Sequence, residues 1–555
     1  EDEEDEENQK PVVSTEEFLQ RYANGDRDFS GINLAGLDLS GKNFQLEDVE
    51  LNLSNANLKG ANFNGFICVP AKNQAEAPLN LSGANLRDAC LDEAKLTLAN
   101  LSGVNLKNAR LNQASLEYVN LSNANLKEAQ LCNCKLSSAN LKEANLTNAN
   151  MQETSLDNAH LVKAKLKGAN LTKTDLSSAN LRESDLRDSI LDEANLSSAN
   201  LSKANLTNAR LNKANLDGTN LENSLLKNAK FNQAFIRSAN FSGAYLLGVN
   251  LSVVKNESGN PTNANFNSAN LRQANLSGLN LSRSVINADL NGANLSNVNL
   301  LSANLEGAKL EGAKLKEALY NQETIFPADF DILKTDAYLI APGVSLKNAN
   351  LAGANFSNSQ ADLTKANLSG ANLTKANLYG VKLIEANLSQ ANLSQANFNS
   401  ANLINANLSQ ANMNEANLGS ANLTNANLSE SNLIQARLDG TNLTSANLYR
   451  ANLIGAQLGR VKLSGANLKE ANLAGSEVNR TELGQADLSG TKLCGIDLSR
   501  LNFSGTNLTS ADLRGANLSE ANLEKANLKD AQLGGANLQK ANLTGTIMPD
   551  GSIHE

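Results

Sequence analysis

An apolar residue, most often leucine, returns at every fifth position over most of the chain. One series starts Leu81, Leu86, Leu91 and runs without a slip to Leu251, thirty-five units in all. A second runs unbroken from Leu363 to Met548, thirty-eight units. Shorter series, Phe29 to Phe44, Leu53 to Cys68, Phe266 to Ile286, Leu290 to Leu315 and Leu346 to Phe356, bring the total near 95. Each unit reads Ala-Asn-Leu-x-x, as in Ala99-Asn100-Leu101-Ser102-Gly103. A small residue stands two before the Leu, Asn or Asp commonly one before it, and a polar pair follows.

A period of five suits neither regular element. On an α-helix each step of five turns the chain by about 500°, so the leucines precess and form no stripe. On a long strand an odd step sends alternate leucines to opposite faces. The pattern becomes consistent if each unit makes one short side of a coil and then turns. Every Leu then points inward with the Ala two before it, and the Asn and the trailing pair face outward or brace the turn.

The Ala-Asn-Leu-x-x unit resembles the pentapeptide-repeat family over nearly all of residues 29–548. That resemblance implies an all-β fold, a right-handed quadrilateral β-helix with four units per coil. On it, the units make about 24 coils and a rod of roughly 115 Å at the ordinary strand spacing. Two short fragments, Thr324-Ile325-Phe326-Pro327 and Met548-Pro549-Asp550-Gly551, look like those of cyanobacterial members.

The register breaks set the expected organisation. Residues 1–13 read as an acidic disordered tail and 14–28 as an N-terminal cap. In the cap, Ser14-Thr15-Glu16-Glu17 resembles a capping box opening a short amphipathic helix over 15–23. Residues 29–318 form a first solenoid block with loops near 69–80 and 253–263, 346–548 a second, and 549–555 a C-terminal tail. One residue is missing between Ile286 and Leu290, and two are added between Phe356 and Leu363. The largest break, 319–345, is rich in Phe, Tyr, Ile and Pro. It reads either as a loop folded back over a seam or as a partner-binding protrusion.

Composition narrows the function. Two His and no Trp among 555 residues make a poor enzyme inventory. His160 occupies an outward position, and neither it nor His554 lies in a catalytic or metal motif. Cys132 follows Leu131 and faces out, whereas Cys134 replaces an inward Ala, so the pair does not share a metal. No catalytic residue, cofactor site or metal site is expected. The many Asn-Leu-Ser and Asn-Leu-Thr triplets are by-products of the repeat, which argues against a eukaryotic secretory origin.

The net charge is −9, of which Glu1–Glu7 contribute seven negative charges, so the body is near neutral. No basic stripe or excess appears, and direct nucleic-acid binding is not expected. No stretch approaches a membrane span. The chain opens on Glu1 rather than Met, so an upstream piece is expected to be missing. The cytoplasm is the favoured compartment, with thylakoid lumen or periplasm if a targeting segment was removed.

The function expected is therefore a non-catalytic scaffold, a stiff rod presenting faces, loops and ends to protein partners. The competing reading is a DNA mimic acting on a type II topoisomerase, a role the resemblance implies for some family members. The candidate partner surface is Tyr245, Leu247, Val253 and Val254 together with Phe326, Phe330 and Tyr338 of the insertion. A homodimer through the C-terminal end is a further expectation.

Overall fold

The computed structural model describes residues 10–46, 50–70, 78–252, 254, 264–357 and 361–555. The acidic run, Val253, most of the two expected loops and the extra residues before Leu363 lie outside the described residues.

Parallel bridges join each side of a coil to the residue twenty positions on: Asn80 to Asn100, Asn85 to Asn105, Cys90 to Arg110, Lys95 to Ser115. Four five-residue sides therefore close one coil. The rungs are repetitive. Leu101 N donates to Asn120 O at 2.7 Å, and Asn120 N donates to Ala99 O at 3.0 Å. Val104 N donates back to Leu101 O at 3.2 Å, closing the turn. The main chain is thus satisfied between coils rather than within an element.

The turn explains the outward residues. The second residue after each Leu is left-handed, with φ of 59° at Lys163 and 60° at Glu193. That conformation costs a non-glycine residue about 1–2 kcal/mol, which the inter-coil bonds and the core offset. Asn serves twice. Its Oδ1 accepts from the N–H two residues on, as Asn80 does from Ser82 at 3.0 Å. Its Nδ2 donates to the Asn one coil earlier, as Asn120 does to Asn100 at 3.3 Å. The inward Leu and Ala columns are buried along most of their length, and where Thr replaces Ala its hydroxyl finds a carbonyl, Thr174 Oγ1 to Met151 O at 2.7 Å.

Breaks in the sequence register become changes of coil perimeter. Asn57 bridges Asn85, Asn240 bridges Asn265, Asn270 bridges Asp289 and Ser345 bridges Asn367. An addition near 45–50 widens the first coil, where Asp28 bridges Asn52. Among the described residues the strands longer than one bridge are β1 (Asn43–Leu46), β2 (Leu51–Asn52), β3 (Ile67–Pro70), β4 (Leu79–Asn80), β5 (Leu319–Tyr320) and β6 (Tyr338–Leu339). They pair in parallel as β1 with β3, β2 with β4 and β5 with β6. Helix α1 (Thr15–Ala23) starts at Ser14, whose Oγ accepts from Glu17 N at 3.2 Å. It covers the first coil: Phe18 is fully buried with its ring 4.4 Å from that of Phe29, and Tyr22 stacks on Phe44 at 4.2 Å.

The expected single rod of about 24 coils is replaced by two columns with separate cores. The first core runs from Phe18 to Ala318, and the second takes in Leu301, Leu319, Ile340, Leu346 and the columns up to Ala531. Leu301 stands at an outward position of the first column yet is 0% exposed, because it packs into the second core. Its neighbours on that side, Asn280, Ser282 and Asn299, are also buried. Asn299 Nδ2 donates to Asn355 O, and Asn350 Nδ2 donates to Glu317 Oε2 at 3.0 Å. The open end of the second column is therefore seated on the flank of the first.

The 319–345 segment makes this geometry possible. β5 continues the first column, since Leu319 bridges Asn299 and pairs with Tyr338 in β6. Between them Phe326, Phe330 and Ile332 pack against the end of the first core, and a 3₁₀ turn at Ile332–Lys334 follows. Tyr338 packs against the second core, and its hydroxyl accepts from Asn350 N at 3.2 Å. At the far end the last coil is thinly covered, with Leu533, Leu538 and Leu543 only partly buried.

Candidate interaction surfaces

Stacking at every twentieth residue turns repeat positions into rows. On the side that holds Leu86, the residue after each Leu reads Lys59, Arg87, Lys107, Lys127, Thr147, Lys167, Arg187, Thr207, Lys227 and Leu247. The backbone confirms that they are stacked. Gly60 N donates to Arg87 O, Asp88 N to Lys107 O, Asn108 N to Lys127 O, and Asn148 N to Lys167 O. Seven basic residues and no acidic one occupy this row. On the opposite side, which holds Leu96, the same row reads Thr97, Glu117, Ser137, Asp157, Ser177, Ser197, Asp217 and Arg237. The first column thus has a basic flank facing away from a mildly acidic one. The expectation that no basic stripe exists is corrected: the coil assembles one from residues twenty apart.

Carboxylates border the row without filling it. Arg87 lies 3.4 Å from Asp88, Lys127 lies 3.6 Å from Glu128, and Arg187 meets Asp185 at 2.6 Å. The hydrogen bond from Arg187 holds the Asp185 carboxyl below the usual carboxylate range. Exposed pairs of this kind contribute ~0–1 kcal/mol each, so the row remains available to an anionic partner.

The same flank carries an apolar patch beyond the basic row. Leu225 is 45% exposed and bridges Tyr245 one coil on, and Tyr245 and Leu247 are half-buried. The flank continues from Tyr245 through Asn270 and Asp289 to Lys309. There a groove of about 460 Å³ is lined by Lys309, Glu311, Pro327 and Phe330. The structure therefore brings Tyr245, Leu247 and Phe330 onto one flank. Val254 is buried. Phe326 is half-buried against the first core and Tyr338 against the second, so both act at the junction. Leu333 of the same segment stays 83% exposed.

A second concavity of about 390 Å³ lies where the columns meet, lined by Ser277, Asn297, Glu317, Leu319, Asn350 and Ala354. Its walls are amides, hydroxyls and apolar side chains, with Glu317 already bonded to Asn350. Among the described residues no group of three or more His, Cys, Asp or Glu side chains is placed to hold a metal ion. Cys134 is fully inside and Cys132 outside; burial pushes the Cys134 thiol up, and pushes Cys68 up to about 12. Among the described residues no helix is long and apolar enough to cross a membrane.

The row was missed in linear order because its members are separated by nineteen or more other residues. Sorting outward positions by twenty rather than by five exposes it.

Comparison with known proteins adds the following. A family model described as pentapeptide repeats (8 copies) matches residues 80–252, 262–316 and 349–548 in overlapping segments. Among solved structures, HetL from the cyanobacterium Nostoc sp. strain PCC 7120, a pentapeptide repeat protein involved in heterocyst differentiation regulation, is 38% identical. That match covers 38% of this chain and 92% of HetL, with a TM-score of 0.26. Rfr23 from the cyanobacterium Cyanothece 51142 is 30% identical over 31% of this chain and 95% of its own, TM-score 0.12. A thylakoid-lumen pentapeptide repeat protein of Arabidopsis thaliana is 26% identical over 20% of this chain and 68% of its own, TM-score 0.14. No curated protein matches the chain.

Proposed function

The chain belongs to the pentapeptide repeat family, whose fold is a right-handed quadrilateral β-helix, and from that premise we propose that it is a non-catalytic scaffold whose Leu86 flank docks protein partners. One observation carries the reading: a straight row of Lys and Arg leads, on one flank, to the apolar patch of Leu225, Tyr245 and Leu247. An extended acidic segment with an apolar anchor at one end complements that arrangement. The row would steer and orient the segment, and the patch would supply the desolvated contact. A scaffold profits from the repeat because each added coil lengthens the row without altering the site's cross-section. The seat of the second column on the first fixes the angle between the two sets of faces, so partners held on each are held relative to one another.

The basic row also bears on the alternative. A protein that imitates duplex DNA must present contiguous negative charge, and this flank has the opposite sign. The last coil is a second contact surface under the same proposal. Its part-exposed Leu533, Leu538 and Leu543 would meet a second copy of the chain. Sedimentation should then show a dimer that Leu538→Glu dissociates, and a wild-type monomer refutes it.

The flank itself is tested by the double substitution Tyr245→Ser with Leu247→Ser, made after partners co-purifying with the tagged protein have been identified by mass spectrometry. A folded variant that loses a partner supports the docking face. A variant that keeps its fold and every partner rejects it, and unfolding shows the patch to be structural.

A further inference from the structure

The cleft of about 390 Å³ at the junction has walls from both columns. Three successive coils of the first column place Gly278, Asn297 and Glu317 one above another, for Gly278 N donates to Ser296 O at 3.0 Å and Asn297 N to Lys316 O at 2.9 Å. The second column supplies Asn350 and Gly353. Leu319 and Leu351, both buried, add apolar surface from either side. At the repeat positions of Gly278 and Gly353 other coils hold longer residues, such as Glu193 in the first column and Gln395 in the second. A Cβ on either glycine meets nothing within 4 Å. Both walls are therefore bare at a point where a side chain would enter the cleft.

The polar groups facing this space have hydrogen-bonding capacity to spare. The Glu317 side chain is only 15% exposed, yet its carboxylate accepts one amide, Asn350 Nδ2 at 3.0 Å, and lies 3.9 Å from Lys316 Nζ. A carboxylate offers about four acceptor sites. Among the described residues neither Ser277 Oγ nor the Asn297 side-chain amide has a hydrogen-bond partner.

We propose that this junction cleft binds a neutral saccharide, held by Asn297 and Glu317 on one wall and Asn350 on the other. No Lys, Arg or His lines the cleft, so a phosphate or carboxylate finds no counter-charge there. The single carboxylate already faces Lys316, so an organic cation gains little. A polyol matches the walls. Each of its hydroxyls both donates and accepts, as the side-chain amides do, and neighbouring hydroxyls can share one carboxylate. The leucine surface takes the C–H face of the ring. The volume falls within the roughly 300–1,000 Å³ of small-molecule sites. The cleft lies off the docking flank: Asn250 bridges Asn275, so Ser277 belongs to the side that holds Leu251, one turn of the coil beyond Leu246. This site and the docking face therefore stand or fall separately.

The test applies the full-length protein to an array of neutral and acidic oligosaccharides. The strongest neutral binder is then titrated by calorimetry against the wild type and three variants. Gly353→Gln fills the cleft, and Gln395 shows that the coil accepts this residue at the same repeat position with φ of 58°. Gly475→Gln makes the same change far along the second column, where a Cβ also meets nothing within 4 Å. Glu317→Gln keeps an acceptor for Asn350 and removes the charge. The proposal predicts that a neutral glycan is retained, that Gly353→Gln abolishes its binding, and that Gly475→Gln leaves it unchanged. Glu317→Gln should weaken it about tenfold, the loss of one charge-assisted hydrogen bond. Saturation with the glycan should slow hydrogen exchange over 346–356 in the wild type. Tyr245→Ser with Leu247→Ser should bind the glycan normally. Retention of no neutral glycan, retention of acidic glycans alone, or equal binding by Gly353→Gln and Gly475→Gln overturns the proposal.

Discussion

Leu301→Ala separates a seated pair of columns from a single rod. In a continuous solenoid the residue after an inward Leu is outside, and shortening it costs within about ±0.5 kcal/mol. Here Leu301 is fully buried in the second core although its backbone belongs to the first column. Removing three carbon groups at ~0.8 kcal/mol each forfeits about 2.4 kcal/mol of transfer free energy. A residual cavity adds roughly 1 kcal/mol, held down because the neighbouring junction cleft lets the site relax. The expected cost is therefore about 3 kcal/mol, near the lower end for Leu→Ala in a core.

Solenoids unfold in segments, so the loss should be local. Native-state hydrogen exchange read by mass spectrometry should show exchange about a hundredfold faster over 340–376, where the second column begins. Protection over 81–251 should hold. Lys142→Ala, at the same repeat position but exposed, should alter neither. If Leu301→Ala behaves like Lys142→Ala, or if protection falls equally along both columns, the seated junction is wrong.

The inside and outside of the coil can be tested separately. Ala99→Leu or Ala199→Leu should destabilise by about 1–3 kcal/mol through overpacking, against less than about 0.5 kcal/mol for Lys203→Ser, by chemical denaturation. Cys68 and Cys134 should stay unalkylated by iodoacetamide at pH 8 in the folded protein, because burial raises both thiols. Labelling of either at the rate of a free thiol contradicts their inward placement.

Much of this architecture was legible in the linear pattern, and the reasons differ from part to part. The five-residue register appears directly because the central inward position must be apolar in every unit, and the shorter breaks in it became coils of altered perimeter. Ser14 and Glu17 announce α1 because an N-cap has few substitutes. The junction was harder to read. Leu301 follows Leu300 at a position more often polar, but Leu247 follows Leu246 in the same way and stays half-buried, so the doublet alone did not mark a junction. Buried Asn280, Ser282 and Asn299 are indistinguishable in sequence from the exposed residues of other coils. Phe326, Phe330 and Tyr338 stood out as apolar, but nothing local says that two ends of different columns claim them. The basic row needed knowledge of four sides per coil before its members could be aligned.

The docking flank is tested most directly by two sets of charge reversals with the same net change. The first is Lys107→Glu, Lys167→Glu and Lys227→Glu on the Leu86 side; the second is Lys95→Glu, Lys135→Glu and Arg237→Glu on the Leu96 side. Affinity of each set for a fluorescent polyglutamate probe is measured at fixed ionic strength. With ~0.5–1 kcal/mol at stake per exposed charge contact, the first set should weaken binding about thirtyfold and the second by no more than about threefold. Equal losses would mean that the protein responds only to overall charge, and the assignment of a docking face to the basic row would fail.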